Sequence, residues 1–156
     1  MTPNEAVNEK RALAVIRMAL GAMFVWVFFE NLQKGAYTPA GYRGVIEYYL
    51  NKGSAPGAWK SIEAFVASHA AVAGPLQGAA ELGFGLALLT GTASRAVAAA
   101  AAGFLFTLWL SELGAAWVWE LLIPTIAAAA LATTRPGRTW GVDSLLSKAA
   151  PSSPLW

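Results

Sequence analysis

Residues 96–106 read AVAAAAAGFLF. A helix over this stretch turns about three times without one polar side chain on any face, whereas a helix on a soluble protein keeps its outer face polar. The solvent around it is therefore lipid. Working outward, four stretches come close to the roughly 20 residues that, at about 1.5 Å each, cover about 30 Å of hydrocarbon. They are residues 12–29 (ALAVIRMALGAMFVWVFF), 71–90 (AVAGPLQGAAELGFGLALLT), 96–113 (AVAAAAAGFLFTLWLSEL) and 117–133 (WVWELLIPTIAAAALAT). The short links at 91–95 and 114–116 force the last three to run as antiparallel neighbours. The expected fold is all-α, a four-transmembrane-helix antiparallel bundle with short amphipathic helices in the loop between helices one and two. It forms a single domain over residues 1–147, followed by an irregular tail at 148–156.

Composition agrees. The 156 residues are 56% hydrophobic and 13% charged, and a soluble domain needs about 25% charged residues to face water. There is no cysteine, so one copy of the chain can build no disulfide, thiolate metal site or iron–sulfur cluster. The single histidine, His69, likewise excludes a bis-histidine haem or a multi-histidine metal site within one copy. The net charge of +2 is small and the basic residues gather at helix ends, which fits membrane topology and not nucleic-acid binding. Lys10 and Arg11 before an apolar run resemble the start of a signal peptide, but the run is too long and lacks a cleavage site. A retained signal-anchor helix is expected.

Lysine and arginine set the expected orientation. With the N-terminus inside, short cytoplasmic segments hold Lys10, Arg11, Arg95, Arg135, Arg138 and Lys148, whereas Lys34, Arg43, Lys52 and Lys60 are spread along one outer loop. Both termini are then cytoplasmic in a multi-pass protein of the inner membrane. Trp26, Trp109, Trp117 and Trp119 fall near the outer interface, and Trp140 marks the inner one. In the loop at 30–70, Thr38-Pro39 offers a helix start, Tyr42, Val45, Ile46, Tyr49 and Leu50 recur at helical spacing, and Gly53 supplies a stop. A second short helix after Pro56 places Trp59, Ile62, Phe65, Val66 and His69 on one face. These helices either cover the bundle mouth or act as a lid that shapes access.

Ionisable groups at membrane depth cost several kcal/mol, so each needs a reason to be there. Arg17 and Glu81 lie inside helices one and two, and counting from the helix ends puts them roughly 5–6 Å apart in depth. An extended arginine bridges that gap, so an Arg17–Glu81 ion pair is expected. It would either clip the two helices together or orient a quinone headgroup, a small anion or a proton. Arg17 could instead snorkel to the headgroups. Gln77 shares the side of Glu81, and Gly74, Gly78, Ala79, Gly83 and Gly85 make that helix small-faced. Such a face allows tight packing or room for a flat ligand. Towards the outer side Glu30, Glu112 and Glu120 gather, with Lys34 and His69 in reach, and Pro124 leaves the Glu120 carbonyl without its helical donor. Candidate catalytic residues are thus Glu81, Arg17 and Glu120. Candidate cofactor-binding residues are Gln77, Gly78 and Gly85, and no metal site is expected.

Four stretches together resemble the DoxX/DoxD-like family of small four-helix membrane proteins: RMALGAMFVWVFFENLQK at 17–34, ELGFGLALLTGTASR at 81–95, WVWELLIP at 117–124 and RPGRTWGVDSLL at 135–146. Order and spacing carry the resemblance, and the last stretch adds Asp143 to the matched positions. The resemblance implies a subunit of, or partner to, a quinone-linked membrane oxidoreductase, as in thiosulfate:quinone oxidoreductase, with quinone as the cofactor. The alternative is a non-catalytic accessory subunit packing against a larger energy-transducing complex. Either way the expected partners are the lipid bilayer and other membrane subunits, with no nucleic acid. Without cysteine, thiol chemistry falls to a partner or to the substrate itself.

Overall fold

The computed structural model describes residues 2–153 and 155, so positions 154 and 156 of the expected tail lie outside the described residues. The regular structure is seven α-helices and one 3-10 turn: α1 Pro3–Gln33, α2 Pro39–Lys52, α3 Gly57–Ser68, α4 Ala70–Thr90, α5 Ser94–Glu112, α6 Trp119–Ala132, the 3-10 turn Pro136–Arg138, and α7 Asp143–Ala149. The fold is all-α, with α2 and α3 in the long loop as expected.

Three of the helices, α1, α4 and α5, are long and apolar enough to cross a membrane. Only 28%, 28% and 22% of their most apolar windows is fully buried within the chain, and each leaves an apolar side facing outward that needs lipid. In α5 the outward positions include Ala99, Ala100, Gly103 and Phe106. The fourth apolar helix is shorter than the sequence suggested. At 14 residues, α6 spans about 21 Å, less than the hydrocarbon thickness. Its bounds have local causes. Before it, Gly114 (φ 78°) opens a turn that takes up Trp117 and Val118. After it, the Thr133 and Thr134 hydroxyls donate to the carbonyls of Ala130 and Leu131 at 2.8 and 2.9 Å and close the last turn.

α1 is instead longer than its apolar stretch. Thr2 and Glu5 form a reciprocal capping box, the Thr2 amide donating to Glu5 Oε2 at 2.6 Å and the Glu5 amide to Thr2 Oγ1 at 3.3 Å. The helix therefore starts before the membrane-type sequence does. The most extensive packing is α1 on α4 and α5 on α6. The two pairs meet around Leu20, Phe24, Leu88, Leu105 and Leu131, with Ala98, Ala101 and Ala128 allowing close approach. Phe24, Phe84 and Phe104 add an aromatic triangle with centroids 5.5–6.2 Å apart.

α2 and α3 cover one end of the bundle, and the 3-10 turn with α7 covers the other. The Thr38 hydroxyl accepts from the Gly41 amide at 3.1 Å, so the expected start of α2 is present. α3 faces opposite to a helix that seals a core. Its Ile62 and Phe65 are exposed, whereas Glu63 and Ala67 are buried. An apolar outer face on a peripheral helix suits the lipid interface.

Candidate functional site

The two charges expected to pair do not meet. Antiparallel packing of α1 on α4 sets Arg17 against residues 88 and 89, about two turns beyond Glu81. Counting from apolar boundaries underestimated the separation because α1 begins a full two turns before its apolar stretch. Each charge instead has its own set of partners, at opposite ends of the bundle.

Glu81 is 1% exposed and accepts three hydrogen bonds: from the Tyr37 hydroxyl, from Gln77 Nε2 at 2.8 Å and from Asn31 Nδ2 at 3.3 Å. Tyr42 extends the set, its hydroxyl donating to Gln77 Oε1 at 2.9 Å. The result is a chain Tyr42–Gln77–Glu81–Tyr37, with α1, α2, α4 and the α1–α2 loop each contributing. Neutral donors on this scale satisfy a buried carboxylate without a cation. Burial, together with the hydrogen bond to and the charge of Glu81, pushes the Tyr37 hydroxyl far above the ordinary tyrosine range. Burial, then the same carboxylate, raises Tyr42 as well. Both phenols therefore stay protonated as donors.

The small face of α4 is filled by protein at Gly74, Gly78 and Gly85 and left open at Ala79 and Gly83. Added to Gly78, a Cβ would sit 3.2 Å from the Tyr37 ring, and at Gly85 it would meet Val25 of α1 at 2.7 Å. The Tyr37 ring also stacks on Phe28, 5.6 Å between centroids, which fixes it over Gly78. Gln77 belongs to the Glu81 chain. Gly74, Gly78 and Gly85 serve close packing and the seating of Tyr37.

At the other end Arg17, with no exposed surface, donates to the carbonyls of Leu88 (2.6 Å), Leu89 (3.3 Å) and Trp140 (3.2 Å). The first two are among the last carbonyls of α4, which lack helical donors, and a cation there also suits the helix dipole. Its Nε is buried without a partner. Asp143 lies close enough to act on the guanidinium charge but directs its oxygens to α5. Those oxygens accept from the Ala93 amide (2.7 Å), the Ser94 amide (2.9 Å) and the Ser94 hydroxyl (2.5 Å), capping the α5 N-terminus. Gly91, at φ 68°, leaves room for this arrangement, since a Cβ there would lie 2.3 Å from Arg17 Nη1. Arg95 Nε, in turn, donates to the Ala132 carbonyl at the end of α6 at 3.0 Å.

The three acids expected to gather near α2 and α3 divide. Glu30 pairs with Lys34 at 2.6 Å on the surface, the one ion pair among the described residues. Glu112 accepts from the Tyr49 hydroxyl at 3.0 Å, and burial with the charges of Glu112 and Glu120 drives that phenol well above its ordinary range. Glu120 itself is exposed. A cavity of about 10 Å³ beside Glu112, walled by Trp109, Trp117 and Leu121, holds at most about one water. His69 is exposed and packs on Phe65, 4.4 Å between ring centroids.

Glu63 escaped the sequence reading. It is 5% exposed on the inward side of α3, and neither carboxylate oxygen has a hydrogen-bond partner. Burial raises its pKa above the ordinary carboxylate value, while Ser111 and Lys60 act in the opposite direction. Asn31, Tyr37, Tyr42 and Ser94 were also missed. Only Ser94 had a visible signal, its place just before Arg95 at the start of an apolar helix.

Three helices that need lipid, two buried polar clusters and the short helices α2 and α3 define an integral membrane protein of the small helical-bundle class. Residues 12–118 match the DoxX family, and the chain belongs to it. Neither a curated protein nor a solved structure matches the chain.

Proposed function

We propose that this DoxX protein is a partner-dependent membrane subunit associated with a quinone-linked oxidoreductase, and that the redox step itself lies on another subunit. One observation carries the reading. Glu81, almost fully buried, is closed over by Tyr37, Asn31 and Gln77, and Gly78 and Gly85 on its helix are covered by Tyr37 and α1. A headgroup would have to displace all of these. The chain also has no thiol with which to form a covalent intermediate. The outward apolar surfaces of α4, α5 and α6, rich in alanine, suit docking against partner helices.

In this reading α6 is a fourth, short span, its exposed Trp117 and Trp119 at one interface and Arg135 and Arg138 beyond the other. The positive charges at the α7 end support an N-in, C-in arrangement in the bacterial inner membrane. A second reading keeps the quinone on this chain. Tyr37 donates directly to Glu81, with Tyr42 and Gln77 holding the carboxyl in place, and opening of α2 would let this phenol–carboxyl pair hand a proton to a quinone oxygen.

Quinone reduction by isolated membranes separates the two. Membranes lacking the chain should reduce quinone more slowly, the purified chain alone should reduce none, and Glu81→Gln should restore the membranes as well as wild type does. Turnover by the purified chain alone, abolished by Glu81→Gln, would replace the first reading by the second.

A further inference from the structure

The α7 end carries a second polar feature, separate from the Arg17 cluster. Lys10 and Leu13 of α1, with Arg135, Pro136, Arg138 and Thr139 of the α6–α7 link, wall a cleft of about 310 Å³. That is far more than the ~10–15 Å³ a single water needs. Three cations converge on it from two separate parts of the chain. Lys10 and Arg135 are exposed, and none of the three has an acidic partner among the described residues. Glu9 adjoins Lys10 in sequence but makes no ion pair, and Asp143 is turned towards Ser94. Arg138 Nη2 donates to the Pro151 carbonyl at 3.3 Å, which holds the side chain in place, and its Nε is buried without an acceptor. Thr139 adds a hydroxyl to the wall, and Leu13 and Pro136 add apolar surface.

Three unneutralised cations around a cleft favour a multiply bonded anion, and guanidinium groups match phosphate oxygens. The apolar part of the wall lies at the end of a membrane-crossing helix, where a lipid's glycerol and first acyl carbons would run. We infer that this cleft is a binding site for a phosphate ester, held by Lys10, Arg135 and Arg138, with the headgroup of an anionic phospholipid as its occupant. The site stands independently of the function proposed above.

Native mass spectrometry of the delipidated protein, titrated with phosphatidylglycerol, phosphatidylcholine or inorganic phosphate, tests this. One phosphatidylglycerol should be retained in preference to phosphatidylcholine. Lys10→Gln and Arg135→Gln, both at exposed positions whose side chains make no hydrogen bond described, should each weaken it about fivefold, the effect of roughly one charge at a membrane surface. Arg138→Gln should cost at least as much, and Lys52→Gln in the α2–α3 region should cost nothing. Inorganic phosphate competing only at high concentration identifies the lipid as the source. Phosphate binding as tightly as the lipid, with the same dependence on the three residues, keeps the phosphate site and makes the soluble ion its occupant. Unchanged phosphatidylglycerol retention in the Lys10→Gln, Arg135→Gln double variant, or an equal loss in Lys52→Gln, overturns the site.

Discussion

Arg17 shows how a buried charge can be structural without an ion pair. Its guanidinium ties the end of α4 to Trp140, so the turn after α4 and the chain before α7 meet on one side chain. Replacing it with glutamine leaves up to three carbonyls without a donor. Arg17→Gln should lower unfolding stability in detergent by about 2–4 kcal/mol, read from chemical or thermal melts, with Arg17→Lys in between. A melt equal to wild type would remove Arg17 from the fold's supports. Gly137 is a second residue of this kind. A Cβ there would lie 2.2 Å from Asp143 Oδ2 and 2.4 Å from Ser94 Oγ, so Gly137→Ala should destabilise by about 1–3 kcal/mol by the same assay. That Arg17 and Glu81 are special was legible in the sequence, because charge among apolar residues must be satisfied, whereas Asp143 stood out only through the family resemblance. Of their partners only Gln77, one turn before Glu81, was legible. Arg17 is met by backbone carbonyls, which carry no sequence signature, and Glu81 by Tyr37 and Asn31, whose arrival depends on how the loop folds back.

At the scale of elements, apolar runs and helical spacing placed α2, α4, α5 and α6 within two residues but missed the ends of α1. α1 begins early because Thr2 and Glu5 cap it, and α6 is shorter mainly at its start, where the turn opened by Gly114 takes up Trp117 and Val118. α7 and the 3-10 turn, polar and brief, gave no apolar pattern to detect. α3 is present as expected, and the spacing of its apolar residues did not say which side of it faces the bundle. The apolar stripe that in a soluble protein would point inward here points outward, and Glu63 takes the inner side. That inversion has a consequence in pH. Because burial raises the folded-state pKa of Glu63 above its ordinary 4.5, folded α3 binds the proton more tightly than the unfolded segment does. The stabilisation is complete below the ordinary value and is lost as pH rises through the raised one. Hydrogen exchange in α3, corrected for its intrinsic pH dependence, should therefore slow as pH falls across that window. Glu63→Gln should hold the slow rate at all pH values in it. A pH-independent rate in the wild type would mean that Glu63 takes up no proton as α3 folds.

Across the whole molecule, polar groups sit inside the bundle ends and apolar groups outside, the reverse of a soluble domain. Phe106, Ile123 and Ile126 are all exposed on the bundle surface, at 46%, 58% and 57%. The absence of cysteine makes this arrangement directly testable, since any single introduced cysteine is the only thiol in the chain. Cysteines at Ala100 and Gly103 on the outward side of α5 report on lipid, and one at Ala58 at the start of α3 reports on water. In intact membranes, a water-soluble maleimide should label Ala58→Cys and leave Ala100→Cys and Gly103→Cys untouched, while all three should react once the protein is unfolded in detergent. Fast labelling at 100 and 103 in the folded, membrane-bound protein would contradict lipid as the solvent for these helices.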